Sequence, residues 1–341
     1  MSGYLIRARA PLRVSFAGGG TDVPPFPSRE GGLVLNATIN RYAYGTLRPR
    51  DDDQITIESA DFDVAEAYDR EAPLVFDGKL DLVKAGIRRL EGGDARGFDL
   101  FLRSNAPPGS GLGSSSTLMV TLIGLLKDFL RLPLTDYEVA HLSYVIERVE
   151  AGIRGGLQDQ YAATFGGFNF IEFGSDRVIV NPLRIRPEIV NELEHNLLLA
   201  YTGATRRSDG IIADQTARYE SAEAETLEGL RRQKEFAIEM KNALLRGMPR
   251  RFGELLHDAW EAKKKMSPRI TTSFIDELYD EARRSGAVGG KVTGAGGGGY
   301  MLLYCEFEKR HRVEEALARM DVHVTDFAFE PSGLETWSVD E

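Results

Sequence analysis

The chain is poor in cysteine. Among its 341 residues only Cys305 carries a thiol, so no intrachain disulfide can form, which fits a reducing compartment. Cys305 lies inside an apolar run, where a free thiol is usually buried. The five histidines show no metal-ligating spacing. Basic charge is in deficit: 42 Lys and Arg against 52 Asp and Glu leave a net charge of −10. That balance argues against a nucleic-acid-binding surface as the main task. No stretch approaches the roughly 20 apolar residues of a membrane span, and the N-terminus lacks the apolar stretch of a signal peptide. A soluble, cytoplasmic protein is expected. Internal repeats and low-complexity tails are absent as well. What remains is an ordinary globular composition, 42% hydrophobic, with enough apolar residues for one large domain or two ordinary ones.

The most informative stretch is Ala106-Pro-Pro-Gly-Ser-Gly-Leu-Gly-Ser-Ser-Ser-Thr117. It runs directly into Leu118, Leu122, Leu125 and Phe129, which recur at helical spacing. Glycines let backbone approach a ligand, the start of a helix offers unpaired N–H groups, and serines add hydroxyl donors. Pro108, Gly109, Ser110, Gly111, Leu112, Gly113, Ser114, Ser115 and Ser116 are therefore candidates for a di- or triphosphate cradle. It is not a Walker loop, because no Gly-Lys-Ser/Thr follows.

Around this loop the first half reads as strand-rich. Strands are expected at 4–16, 33–47, 54–58 and 97–103, with helices at 80–91, after the loop, and from Thr135 or Asp136 to about Val149. Val23–Pro27 cannot be helical, since its prolines remove donors and restrict their neighbours. A break at Gly155-Gly156 precedes a short helix from Leu157, and a hairpin-like pair follows over 168–180. The second half changes character: a strand at 196–202, a long helical stretch from near Ser208, further helices near 250–265 and 272–285, then a strand–strand–helix–strand ending at 322–329. The fold class is α+β, with domains 1–190 and 191–341.

Two further glycine-rich loops flank strands, Ala17–Asp22 and Thr293–Gly299. The second contains Gly-x-Gly-x-x-Gly, but Tyr300–Tyr304 after it reads as strand, whereas a dinucleotide fold opens a helix there. A nicotinamide-dependent oxidoreductase is thereby disfavoured. Asp22 can accept two hydroxyls at once or cap a turn. Thr202–Ser208 combines two arginines, a hydroxyl and a helix start, which suits a substrate phosphate; Thr205 with Arg206 or Arg207 is the candidate. A solvated basic turn is the alternative.

Three motifs occur in order: Pro11-Leu-Arg-Val-Ser-Phe-Ala-Gly-Gly-Gly-Thr-Asp22, Pro107–Ser116, and Lys291-Val-Thr-Gly-Ala-Gly-Gly-Gly-Gly299. Over the whole length the chain resembles the GHMP kinase superfamily. The resemblance implies a two-domain GHMP kinase fold, with an ATP-binding domain like ribosomal protein S5 domain 2 followed by a ferredoxin-like domain. It implies ATP and Mg²⁺ as cofactors. Asp159, in Gly155-Gly-Leu-Gln-Asp-Gln160, would be the catalytic aspartate, with Arg13 beside it. Ser115 and Glu147 would hold the metal, with Glu150 as a rival to Glu147. Gly19, Gly20, Thr21 and Asp22, with Gly296 and Gly297 of the third loop, would contact the sugar. The Gly-Gly-Gly-Thr-Asp version of the first motif, with Ile39-Asn-Arg-Tyr42, resembles heptose 7-phosphate kinases and the kinase domains of fucose salvage enzymes. The implied partner is a small-molecule sugar or sugar phosphate, phosphorylated at the anomeric C1 hydroxyl, with neither nucleic acid nor membrane involved. A fucokinase- or galactokinase-like activity is the runner-up, and a homodimer is left open.

Overall fold

A computed structural model describes residues 4–61, 63–69, 74–90, 96–203 and 208–340. The N-terminal part runs β1 (Tyr4–Ala17), α1 (Phe26–Glu30), β2 (Gly32–Pro49), β3 (Gln54–Ser59), β4 (Val64–Asp69), α2 (Asp81–Leu90), β5 (Phe98–Ser104), α3 (Ser114–Phe129) and α4 (Asp136–Tyr144). One turn of π-helix, Val145–Glu150, continues α4, and α5 (Gln158–Phe165), β6 (Phe168–Phe173) and β7 (Val178–Pro182) follow. The C-terminal part runs α6 (Pro187–Asn196), β8 (Leu197–Tyr201), α7 (Asp209–Glu220), α8 (Ala224–Leu245), α9 (Pro249–Lys264), α10 (Ser273–Ser285), β9 (Ala287–Val292), β10 (Tyr300–Cys305), α11 (Phe307–Arg319), β11 (His323–Thr325) and β12 (Glu335–Asp340).

Two sheets organise these elements. The first has the path β12-β1-β2-β5-β3-β4, and β6 with β7 joins it at β2. Strand β2 is long enough to serve two partners in turn: Gly32–Ala37 pair with β6 and Ala43–Pro49 with β5. All its pairings are antiparallel except β3 with β5. The second sheet is antiparallel, ordered β11-β8-β10-β9. Helix α3 is buried on nearly every side from Ser114 to Leu126, so burial extends well beyond the stripe of Leu118, Leu122, Leu125 and Phe129. Glycine at position 45 lets it approach the sheet, since a Cβ there would lie 2.5 Å from Leu125 Cδ1.

The α+β class holds, and most expected elements appear at their expected places. Four details differ. Phe26–Glu30 is helical despite the prolines, because Pro27 occupies the first turn, where a missing N–H costs nothing. The long stretch after Ser208 is two helices, broken where Ala222 adopts left-handed backbone at φ 57°. The strand expected at 322–329 shrinks to His323–Thr325. The chain then returns to the first sheet: β12 pairs with β1 from Tyr4↔Asp340 to Arg9↔Glu335. Residues 335–340 therefore belong structurally with the N-terminal domain, and α6 straddles the expected 190/191 boundary.

One hydrophobic core joins the halves. Leu12, Val14 and Phe16 of β1 pack in the same cluster as Met240, Phe252, Leu302 and Tyr304. A second cluster surrounds α3, and a third lies between the second sheet and α9–α11. Cys305 is buried in that third cluster, and burial pushes its thiol up to about 12.

Candidate active site

The three glycine-rich loops converge on one cleft between the sheets. Gly19, Gly20 and Asp22 of the first line it with Gly109, Gly111, Gly113 and Ser114–Ser116 of the second and Gly294, Gly296 and Gly298 of the third. The last two loops touch backbone to backbone. A Cβ at Gly111 would lie 2.7 Å from the Thr293 carbonyl oxygen, and one at Gly294 2.8 Å from the Gly111 Cα. No other residue tolerates that approach. The first N–H groups of α3 have no intrahelical partner and open onto the cleft from Ser114–Ser116.

At the cleft floor, Arg13 and Asp159 form an ion pair. Arg13 Nε donates to Asp159 Oδ1 at 2.7 Å, Nη2 lies 2.6 Å from the same oxygen, and Nη1 donates to the Gly111 carbonyl at 2.6 Å. Strand β1 delivers the arginine and the first turn of α5 the aspartate. Asp22 is buried beside them. It accepts the Gln158 N–H at 3.1 Å and the Gly20 N–H at 3.0 Å. Burial above all, then the charge of Asp159, raises the pKa of Asp22, and these two N–H groups oppose the rise.

Glu147 occupies the wall nearest the phosphate loop. It is fully buried, and its carboxylate accepts from Ser115 Oγ at 2.9 Å, Ser116 Oγ at 2.6 Å and Gln160 Nε2 at 2.7 Å. Arg148 lies 3.4 Å from it and donates to Ser116 Oγ at 3.2 Å. The π-helical turn supplies this register, and Glu147 falls within it. Glu150 points elsewhere and meets Arg89 at 3.5 Å. Ser115 is the exposed member of the serine trio, so its hydroxyl with the Glu147 carboxylate forms a pair of hard oxygen donors at the cleft.

Several expected site residues serve the scaffold instead. Pro108 points to solvent outside the cleft. Leu112 is buried in the core, and its carbonyl accepts the Arg13 N–H. Ser110 is buried, and its carbonyl accepts the Tyr300 N–H, tying the loop to β10. The Ser116 hydroxyl is committed to Glu147 rather than to a phosphate. Thr21 is buried, and its hydroxyl donates to the Gly18 carbonyl at 2.7 Å to close the turn. Gly297 donates its N–H to the Ile270 carbonyl at 2.7 Å. Thr205 and Arg206, with Arg207, lie outside the described residues.

Other cleft residues were given no role from the sequence. Lys263, Arg148, Gln158, Gln215 and Ser208 all line it. Lys263 sits in a run of three lysines that reads as a solvated helix end. Its helical phase tells more: Phe252, Leu256, Ala259, Trp260 and Lys263 share one buried face of α9. Lys291, on β9, is fully buried and donates to the Ser15 carbonyl at 2.9 Å.

Loops of this kind, an arginine-held aspartate and a serine–glutamate pair define a phosphotransferase site without a Walker lysine. Residues 81–167 match the GHMP kinases N terminal domain, and residues 240–323 match the GHMP kinases C terminal domain. The chain belongs to the GHMP kinases, enzymes that use ATP as phosphate donor. It is 40% identical to a D-glycero-alpha-D-manno-heptose 7-phosphate kinase of Campylobacter jejuni, over 98% of this chain and 99% of that one. A bifunctional fucokinase/GDP-fucose pyrophosphorylase of Arabidopsis thaliana is 28% identical over 94% of this chain and 32% of its own length. Among solved structures, a D-glycero-D-manno-heptose 1-phosphate kinase from Bacteriodes thetaiotaomicron superposes with a TM-score of 0.83 at 36% identity, covering 98% of this chain and 100% of that one. Among the described residues no helix is long and apolar enough to cross a membrane.

Proposed function

We propose that the chain is an ATP-dependent sugar kinase that phosphorylates the anomeric C1 hydroxyl of D-glycero-D-manno-heptose 7-phosphate, giving the 1,7-bisphosphate, in the cytoplasm. The Arg13–Asp159 pair at the meeting point of the three loops carries this reading. An acceptor hydroxyl beside Asp159 faces the phosphate loop, as in-line transfer requires. Asp159 accepts the proton of the C1 hydroxyl as that oxygen bonds to the γ-phosphorus. The bond from phosphorus to the β,γ-bridging oxygen breaks, and ADP leaves. An anomeric hydroxyl is more acidic than an ordinary alcohol, which eases the demand on the base.

Arg13 holds the Asp159 carboxylate in place by two contacts to one oxygen, leaving the other for the substrate. Asp22, Gly19 and Gly20 are the proposed sugar contacts. Ser115 and Glu147 would hold Mg²⁺, a hard cation that takes few protein ligands beside ATP phosphates and offsets their charge. The start of α7 reaches the cleft through Ser208 and Ile212. That placement supports a 7-phosphate at this helix start, for which Thr205 with Arg206 or Arg207, outside the described residues, stay the candidates.

The test is a panel of sugars and sugar phosphates with ATP and Mg²⁺, read as ADP release. Heptose 7-phosphate should be turned over at a kcat/KM at least ~10²-fold above fucose, galactose and unphosphorylated heptose, as a site built for a polar group rejects analogues that lack it. Turnover of fucose or galactose without turnover of the heptose phosphate would replace this reading with that of a hexose 1-kinase.

A further inference from the structure

The cleft contains a cation to which the chemistry above gives no task. Lys263, in the last turn of α9, is 3% exposed and yet lines the cleft. One of its three N–H donors goes to the Gly294 carbonyl. Among the described residues it makes no other hydrogen bond or ion pair, so two donors remain. Arg13 differs: its Nε, Nη1 and Nη2 are all directed at Asp159 and the Gly111 carbonyl. Of the two buried cations at the cleft floor, Lys263 is the one with no carboxylate partner among the described residues.

Its position matters as much as its charge. Gly294 packs on Gly111 of the phosphate loop, so Lys263 is anchored where the second and third loops touch. It feels the charges of Arg13 on β1 and Asp22 after β1, and its own charge acts on Lys291 of β9. A phosphoryl group passing from the phosphate loop to an acceptor beside Asp22 and Asp159 crosses this point. Burial, with Arg13 next, lowers the pKa of Lys263 to about 8. A buried ammonium that the fold itself disfavours is poised to gain from an anion.

We propose that Lys263 is a catalytic residue of the transfer, its ammonium contacting the γ-phosphoryl oxygens of ATP as the group moves to the acceptor. It donates hydrogen bonds and keeps its protons throughout. The proposal rests on the kinase reading. The competing role is a tether for the third loop, which would affect every nucleotide alike.

The experiment compares wild type with Lys263→Met and Lys263→Arg. Calorimetry with Mg²⁺ and no sugar gives the dissociation constants of ATP and ADP. Lys263→Met should weaken ATP about tenfold while ADP stays within about twofold, the loss of a charge-assisted hydrogen bond to the γ-phosphoryl alone. On the best sugar of the panel its kcat should fall ~10²-fold, as when a donor to developing charge is removed. Its melting temperature should not fall, since an apolar side chain of similar length replaces a buried charge. The protonated amine is the active form, so wild-type kcat/KM for ATP, which reports the free enzyme, should fall as pH rises through about 8. Lys263→Arg should keep the ATP preference and lose that alkaline fall. Equal weakening of ATP and ADP, or an unchanged ATP-to-ADP ratio, would overturn the proposal in favour of a tether. A wild type that binds ATP over ADP but phosphorylates none of the sugars would sink the substrate reading alone, and the nucleotide comparison would still decide the role of Lys263.

Discussion

Asp22 illustrates how tightly single residues are constrained at the cleft. Its carboxylate sits against Gly156, where an added Cβ would lie 1.9 Å from Oδ2. Both of its oxygens also accept backbone N–H groups, so it cannot move aside without losing hydrogen bonds in a buried place. Gly156→Ala should therefore displace Asp22 and raise the KM for the sugar ~10²-fold, the usual cost of misplacing a contact by about 1 Å. The ATP dissociation constant should stay near wild type, since Gly156 faces the first loop and not the second. Steady-state kinetics with both substrates varied checks this. Equal losses for sugar and ATP would mean that Asp22 does not belong to the sugar subsite.

At the scale of elements, α4 and the π-helical turn after it form one continuous segment that carries Glu147. The segment begins at a capping box. Thr135 accepts the Glu138 N–H, and the Glu138 carboxylate accepts the Thr135 N–H at 2.8 Å. The Thr135 bonds are the largest cause of the lowered pKa of Glu138. Thr135→Ala should lower stability by about 1 kcal/mol in urea unfolding, as N-cap losses do. Its kcat should remain unchanged, because Ser115, Ser116 and Gln160 hold Glu147 at the other end. A large fall in kcat without loss of stability would show that the helix start governs the site directly. The start of α4 was readable from Thr135 and the residues after it. The π-turn was not, because the choice between α and π hydrogen bonding at Val145–Glu150 depends on what packs against the turn, and local propensity is silent on it.

At the scale of the whole molecule, the two halves are not independent. Leu12, Val14 and Phe16 complete a core with residues of α8, α9 and β10, and β12 carries the end of the chain back onto β1. Unfolding in urea should therefore be a single cooperative transition, with tryptophan fluorescence and far-ultraviolet circular dichroism coinciding. Trp260 reports on the third core and Trp337 on β12, so two separated transitions would refute a shared core. Residues 1–190 alone would expose the apolar side of β1 and lack its β12 neighbour. Active-site geometry depends on the same union: Arg13 and Asp159 come from the first half, and Lys263 and Gly294 from the second.

The sequence by itself determined the fold class and the family, through hydrophobic periods and glycine-rich motifs, which are local properties that adjacent residues express wherever they sit. The pairing of Asp159 with Arg13 came with the family resemblance that those motifs carry. It also pointed to Ser115 and Glu147 through family motifs. Only the tertiary structure showed that Glu147, and not Glu150, meets Ser115, since both lie in one turn and the difference is which side each faces. Only it showed that Thr21, Ser110, Leu112 and Gly297 hold the loops while their neighbours face the cleft. Lys263 and β12 were hidden for the same reason. Helical phase marks Lys263 as buried but not what it faces, and a short polar strand near the end of the chain has no local mark at all. Their places follow from long-range packing, which brings α9 beneath the glycine loops and the last strand beside the first.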